Sequence, residues 1–221
     1  MKTQLITTLF LLLSVSLFAQ NKKNKYVLDI APNYIFDIKK FKKKATNGIY
    51  EFYRPDGLKV EQSKRDDYYW EIIRKKGTPI EKRRYYDLST GKLQIEGNLF
   101  YSCEVGIINE YDEYGQLTKV TDTETAFLFS LDDVIKLIKR KFGIDMTLKD
   151  GRQYKHMIRG LFDYVVYFNI HSPTRMHPGG VYLEINGTTG EIYYYLKDGI
   201  TLINKREERE KEIMEKENQN Q

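Results

Sequence analysis

Helical spacing of apolar residues is clearest in one segment of the C-terminal half. The apolar residues there recur every three or four positions, as on one face of a helix. They are Leu131, Val134, Ile135, Ile138 and Phe142. Ser130 precedes them as an N-cap residue, Asp133 stands at the third helical position and Gly143 follows the last turn. The pattern predicts a helix over residues 131–142.

Strand-like runs follow this helix. Residues 164–170 (YVVYFNI), 181–186 (VYLEIN) and 191–197 (EIYYYLK) are rich in β-branched and aromatic side chains, and a GTTG turn at 187–190 joins the last two. A helix followed by antiparallel strands is the order of an α+β unit in which the helix lies across the sheet. We therefore expect an α+β domain over residues 125–203.

Three segments in the middle of the chain are similar to one another. They are residues 50–58 (YEFYRPDGL), 85–93 (YYDLSTGKL) and 110–117 (EYDEYGQL), and each places a tyrosine before a turn glycine and a leucine after it. The glycines at 57, 91 and 115 are 34 and 24 residues apart, so the first interval contains an insertion around residues 68–73. Glycine reaches the positive φ of a tight turn without steric cost. We expect β-hairpin repeats over residues 44–124.

Residues 97–117 (GNLFYSCEVGIINEYDEYGQL) resemble the variant MORN repeat. The common features are a glycine and aromatic opening, a second glycine, and an acidic turn that ends in glycine and leucine. Ile107 and Ile108 depart from the aromatic and polar pair that the repeat usually has there. The resemblance implies hairpins stacked into an elongated sheet and, in bacteria, a protein-binding or antitoxin-like role without an active site.

Residues 129–197 are similar to a PepSY or cystatin-like module. The similarity lies in the helix start at 130–133 (SLDD) and in the hairpin 183–192 (LEINGTTGEI), where Asn186 replaces the usual aspartate. It implies a secreted binding or inhibitory domain without a cofactor. The fold class expected for the whole chain is a β-rich α+β protein, with an N-terminal array of MORN-like hairpins followed by one helix packed on an antiparallel sheet.

The N-terminus has the pattern of a secretory signal peptide. Lys2 precedes an apolar run over residues 5–18, which ends at Ala19. The run is shorter than the roughly 20 residues that span a bilayer as a helix. We expect residues 1–19 to be removed and the protein to be exported, either to the periplasm or out of the cell.

Lysines dominate the segment after the leader, predicted as a basic arm over residues 20–43. A basic arm attracts anionic lipid or wall polymers, and the residues expected to do so are Lys39, Lys40, Lys42, Lys43 and Lys44. A solvated leader without a role is the alternative. The other end of the chain, residues 204–221, mixes basic and acidic residues with almost no apolar stripe. It predicts a solvated, charged helix, or else a docking helix for a partner.

Composition excludes several classes of protein. A single cysteine excludes a disulfide framework and a cysteine-based zinc cluster, while 41% hydrophobic and 30% charged residues describe a chain that can bury a core. The three histidines are 15 and 6 residues apart, which matches no compact zinc pattern. Cys103 lies in a strand-like context, which favours a small, half-buried side chain over a catalytic nucleophile. With no phosphate loop and no nucleophile motif, we expect a protein without catalytic residues, metal or cofactor.

Binding is the function that these observations leave. One candidate is the long loop over residues 169–181, with His171, Arg175, Met176 and His177; the other is a tyrosine face made of Tyr85, Tyr86, Tyr111 and Tyr114. A loop without a role and ordinary hairpin packing are the respective alternatives. The prediction is an exported immunity or inhibitor protein that covers the site of a toxin or enzyme. The alternative is a peripheral envelope protein held by its basic arm, and export argues against a nucleic-acid partner. The sequence leaves the oligomeric state open.

Overall fold

The structure is a computed structural model that describes residues 24–149, 153–170 and 179–219, and these residues form two antiparallel sheets and three helices. The first sheet contains β1 (Ile49–Tyr53), β2 (Lys59–Lys64), β3 (Tyr68–Arg74), β4 (Ile80–Asp87), β5 (Leu93–Phe100), β6 (Cys103–Tyr111) and β7 (Leu117–Asp122). The second contains β8 (Lys155–Arg159), β9 (Asp163–Ile170), β10 (Gly179–Asn186), β11 (Ile192–Lys197) and β12 (Ile200–Asn204). The helices are α1 (Ile38–Lys44), α2 (Leu131–Phe142) and α3 (Arg206–Gln219). The expectation of a β-rich α+β fold is confirmed.

The first sheet is a meander in which the strands lie side by side in sequence order. Gly57, Gly91 and Gly115 occupy the β1–β2, β4–β5 and β6–β7 turns with φ of 79°, 70° and 84°, as the turn pattern predicts. Residues 68–73, which interrupt the spacing of the repeats, belong to a full strand, β3, paired with both β2 and β4. Seven strands do not divide into two-stranded repeats, so the sheet is one continuous meander.

Helix α2 begins and ends where the sequence predicts. The side chain of Ser130 accepts a hydrogen bond from the backbone N–H of Asp133, whose carboxylate accepts one in return from Ser130 N–H. Gly143 ends the helix in the left-handed conformation, with φ of 69°. Leu131, Val134 and the other buried residues of α2 join the core cluster that contains the inward-facing residues of the second sheet.

One hydrophobic core is common to both sheets. Phe100, Cys103 and Val105 from the first sheet belong to the same cluster as Val166 and Leu183 from the second. Burial of this apolar surface is the main stabilising contribution. The two halves of the chain therefore pack together as one unit across the described residues.

A buried arginine also fastens the two sheets together. Arg159 on β8 forms an ion pair with Glu124, which follows β7, and donates a hydrogen bond to the hydroxyl of Tyr164 at 3.1 Å. Its Nη1 also donates to the carbonyl of Glu104 at 2.8 Å. A guanidinium with several donors in fixed directions suits such a junction.

Residues 24–37, called the strap from here on, cross one face of the first sheet, which we call its inner face. Tyr26 begins the strap in the common core, 4.9 Å from Phe100 between ring centroids, and Phe36 ends it stacked on Tyr69 at 4.7 Å. The backbone of Phe36 donates a hydrogen bond to the carbonyl of Gly91 at 2.8 Å. The alternative of a solvated leader is therefore wrong for this part of the predicted basic arm.

The charged C-terminal segment is a helix, as predicted, but its first turn is attached to the second sheet. Arg209 is only 3% exposed and forms an ion pair with Asp163 at 2.6 Å. Arg206 pairs with Glu184 and lies over the ring of Tyr194, 3.6 Å from its centroid. These arginines dock α3 without the apolar stripe that a packed helix usually has. No helix within the described ranges is long and apolar enough to cross a membrane.

Candidate functional site

Aromatic and arginine side chains form a cluster on the face of the first sheet opposite the strap. We call this cluster the aromatic–arginine face: Arg65, Tyr68, Trp70, Arg83 and Tyr85. The guanidinium carbons of Arg65 and Arg83 lie 4.9 Å and 5.9 Å from the centre of the Trp70 ring. Tyr85 is 5.3 Å from Tyr68 between ring centroids, in an edge-to-face arrangement. A cation at such a distance over the face of an aromatic ring is attracted to the ring.

Strand alternation explains why these side chains meet. Successive residues of a strand point to opposite faces, so Tyr68 and Trp70 on β3 share a face with Arg83 and Tyr85 on β4. The register pairs Trp70 directly with Tyr85. The other face of the same strands carries buried residues covered by the strap, whereas all five members of the cluster are partly or fully exposed.

The cluster continues along the strands into a row of ion pairs. Arg74 Nη1 lies 2.7 Å from Glu61, Arg74 Nε lies 3.1 Å from Glu81, and Arg83 pairs with the same Glu81 carboxylate. Burial alone would lower the pKa of Arg74, but Glu61 and Glu81 raise it overall. The Arg74 guanidinium therefore remains charged between two carboxylates.

A cleft of about 530 Å³ lies at the end of this row, between the first sheet and the segment that leads into β8. We call it the junction cleft. Backbone hydrogen bonds tie its walls together, from Lys149 N to Gly77 O at 2.8 Å and from Ser102 N to Met157 O at 3.0 Å. Arg83 lines the cleft as well as the aromatic–arginine face, so the two features are continuous.

Basic residues outnumber acidic ones in the described lining of the junction cleft. Arg74, Arg83, Lys149 and Lys155 line it, against Glu81 as the acidic residue of that lining. Lys155 is buried, and its ammonium donates to two backbone carbonyls at 2.8 Å and 3.0 Å. Tyr101, Tyr154 and His156 add ring surface. The cleft can accept an anionic group that brings some apolar surface with it.

The inner face of the same sheet contains a buried ion network beneath the strap. Arg84, 2% exposed, donates to Glu71 at 3.1 Å and to Glu96 at 3.2 Å. A third donor of the same guanidinium bonds to the strap carbonyl of Ala31. Lys82 lies 3.3 Å from Glu96, and burial lowers the pKa of Lys82 although that carboxylate opposes the effect. These charges hold the sheet and the strap together.

The four predicted tyrosines do not form one face. Tyr86 is fully buried in the inner-face cluster with Phe36, and Tyr111 packs against the same cluster. Tyr85 points to the opposite side, because adjacent residues of a strand alternate. Tyr114 is 72% exposed in the β6–β7 turn. Tyr86 is therefore wrong as a partner contact, and the four residues do not act as one surface.

The other predicted binding residues have separate outcomes. His171, Arg175, Met176 and His177 lie outside the described residues. The five lysines of the basic arm, Lys39, Lys40, Lys42, Lys43 and Lys44, are all exposed on α1, and Phe41 anchors this helix in the inner-face cluster. The sequence reasoning missed Arg65, Tyr68, Trp70 and Arg83. The two-residue spacing of Tyr68 and Trp70 on β3, and of Arg83 and Tyr85 on β4, is the signal that indicates a shared face. Arg65 lies in the β2–β3 turn and has no such signal.

Cys103 lies in the common core, and burial raises the pKa of its thiol to about 12. No group of three or more histidine, cysteine, aspartate or glutamate residues in the described parts of the chain is arranged to hold a metal ion.

No protein-family model matches the chain, and comparison with curated proteins and with solved structures likewise gives no match.

Proposed function

We propose that this chain is an exported, non-enzymatic protein that binds a protein partner through the aromatic–arginine face and the adjoining junction cleft. The observation that carries the proposal is the partly exposed cluster around Trp70, the single tryptophan of the chain. The most concrete form is an immunity or inhibitor protein that occludes the site of a toxin or enzyme.

Residue chemistry supports this assignment. Tryptophan, tyrosine and arginine are the residues that most often dominate the binding energy of protein interfaces. The strap covers the opposite face of the sheet, whereas Trp70, Tyr85 and their neighbours in the cluster are partly or fully exposed. Packing within the sheet would not require two arginines over one indole ring. A partner that excludes water from this cluster strengthens each of its cation–π contacts.

The two resemblances remain part of the proposal. The MORN-like sequence pattern of residues 97–117 agrees with a protein-binding role for the first sheet, and the PepSY or cystatin-like pattern agrees with an inhibitory role for the second. Both resemblances imply recognition without a cofactor. The partner that we propose is a protein whose surface complements the arginines of the aromatic–arginine face.

Replacing Trp70 with alanine is expected to weaken the complex by more than about 1 kcal/mol, roughly fivefold in Kd. The partner is first captured on residues 20–221 from extracts of the same and of competing strains, with washes of rising salt, and identified by mass spectrometry. Calorimetry with the purified partner then gives the Kd. The loss is expected because the indole supplies a large contact area at the centre of the face.

Tyr53→Ala is the matched control, because Tyr53 is an exposed aromatic residue at the end of the edge strand β1, outside the cluster. It is expected to leave the Kd within about twofold. Arg65→Ala tests the face with an exposed residue whose loss should not unfold the protein. Unchanged affinity in both Trp70→Ala and Arg65→Ala, with the fold intact by circular dichroism, contradicts the proposed site.

A second candidate function is attachment to an anionic envelope surface through α1. The specific observation is that Phe41 is buried at 4% exposure while the five lysines of α1 stay in solvent. The helix is therefore held to the body of the protein with its basic side chains outward. Fixed charges of this kind attract anionic lipid head groups.

The double variant Lys42→Glu with Lys43→Glu is expected to bind vesicles of phosphatidylglycerol more than about tenfold more weakly, since each lysine near such a surface contributes about 1 kcal/mol. Sedimentation with the vesicles at about 50 mM and about 300 mM salt measures this binding. Lys75→Glu with Lys76→Glu, an equal charge change in the exposed β3–β4 turn, is the control. Equal losses of vesicle affinity in the two double variants would show that the net charge of the protein, and not the position of the lysines on α1, determines binding.

A further inference from the structure

We infer that the junction cleft recognises carboxylate groups, and that the part of the partner that enters it is an acidic segment of its chain. The inference rests on the proposed function and specifies the chemistry of the contact. Its basis is the arrangement of Arg74, Arg83 and Glu81 on the first sheet, together with Lys149 on the opposite wall.

The cleft already holds one carboxylate in the required way. Glu81 Oε1 accepts a hydrogen bond from Arg83 Nε at 2.8 Å, and Glu81 Oε2 accepts one from Arg74 Nε at 3.1 Å. Two guanidinium groups thus converge on one carboxylate group. Charge-assisted hydrogen bonds of this kind are roughly twice as strong as those between neutral groups.

Donor groups remain for a second carboxylate. Arg74 also uses Nη1 toward Glu61, and Arg83 uses Nη2 toward Glu81. Within the described part of the chain, Arg74 Nη2 and Arg83 Nη1 donate no hydrogen bond. With Lys149 facing the same space, the cleft offers more positive charge than Glu81 neutralises.

The lining favours a peptide carboxylate over a densely charged phosphate polymer. Glu81 places a fixed negative charge inside the cleft, and like charges disfavour a ligand in proportion to its own charge. Tyr101 and Tyr154 provide ring surface beside the basic groups, which suits the methylene groups of a glutamate side chain. A volume of about 530 Å³ lies in the range of ligand pockets.

The test uses a blocked hexaglutamate peptide as the probe and the full chain as the protein, with affinities measured by calorimetry. Arg83→Gln is expected to weaken binding roughly tenfold, because it removes charge-assisted hydrogen bonds. Glu81→Gln is expected to tighten binding roughly threefold or more, because it removes the resident negative charge and frees Arg83 and the Nε donor of Arg74, whose Nη1 stays paired with Glu61.

Two variants with the same change of net charge are the controls. Lys119→Gln, on β7, matches Arg83→Gln, and Glu51→Gln, on the edge strand β1, matches Glu81→Gln; both residues are exposed. Each is expected to change the affinity less than about twofold. If either control changes the affinity for hexaglutamate as much as the variant that it matches, the peptide responds to net charge and the cleft assignment is overturned.

Two other outcomes overturn the inference. They are the absence of measurable binding to hexaglutamate and a preference of more than about tenfold for a phosphate polymer of equal length. Neither outcome depends on the proposed function, which Trp70→Ala tests separately with the captured protein. A partner complex that is weakened by Trp70→Ala but indifferent to Lys149→Gln, at a cleft residue outside the aromatic–arginine face, would keep the proposed function and reject the carboxylate cleft.

Discussion

Arg84→Met is expected to lower the free energy of unfolding by about 3–5 kcal/mol, because it leaves the buried carboxylate of Glu71 without its cation and that of Glu96 with Lys82 alone. Arg84 lies between Glu71 and Glu96, and all three side chains are almost completely buried. Methionine fills similar space but offers no donor to either carboxylate or to the strap carbonyl of Ala31. Urea unfolding followed by circular dichroism measures the loss.

A second substitution separates the charge effect from the effect of packing. Glu96 keeps Lys82 as a partner when Arg84 is lost, whereas Glu71 keeps only the neutral donors Gln62 and Tyr86. Arg84→Met with Glu71→Gln is therefore expected to recover at least about 1 kcal/mol. Arg65→Met, at an exposed arginine, should cost less than about 0.5 kcal/mol. If the double variant is no more stable than Arg84→Met, the destabilisation comes from altered packing and not from the unpaired carboxylate of Glu71.

Local signals explain why α2 was predictable. Its N-cap, its acidic third residue, its apolar repeat and its terminal glycine all lie within residues 130–143, and each interaction joins neighbours along the chain. The three turn glycines are predictable for the same reason. The hairpin turns and the helix therefore follow from short segments of sequence.

The path of the strap could not be predicted from such segments. Tyr26 contacts Phe100, and the backbone N–H of Leu28 donates to the side chain of Asn98, 70 residues further along. In the sequence these are isolated apolar residues near lysines, without a repeat of two or of 3.6 residues. Their burial depends on a sheet that forms from residues 49–122, so composition suggested only a basic arm.

The candidate site was partly predictable. Adjacent tyrosines in a strand must face opposite sides, so Tyr85 and Tyr86 cannot both serve one surface, and alternation alone separates them. The same alternation places Trp70 with Tyr68 and Arg83 with Tyr85. These two pairs of residues meet because β3 pairs with β4. The register of that pairing could not be predicted, because most of β3 is the insertion of residues 68–73 that interrupts the repeat spacing. The junction cleft requires both sheets and has no signal in any one segment.

Tyr26→Ala is expected to destabilise the protein by about 3–5 kcal/mol, as for other large aromatic residues removed from a core. Its ring packs edge-on against Phe100 in the common core, and its hydroxyl donates to Asp132 at 2.7 Å. Burial, with Asp132 second, raises the pKa of the Tyr26 hydroxyl, so the group remains a donor through the physiological range. Chemical unfolding of the full chain measures the change.

Two controls test whether Tyr26 is the anchor of the strap. Tyr26→Phe keeps the ring and loses one hydrogen bond, so it should cost about 1 kcal/mol. Tyr34→Ala removes another strap tyrosine, which is 51% exposed and packs only at the edge of Tyr111, and should cost less than about 1 kcal/mol. A Tyr26→Ala loss no larger than that of Tyr34→Ala would mean that the ring contributes little. The expected order instead makes the strap part of the core, so the lysines of α1 are carried on a fixed segment rather than on a free arm.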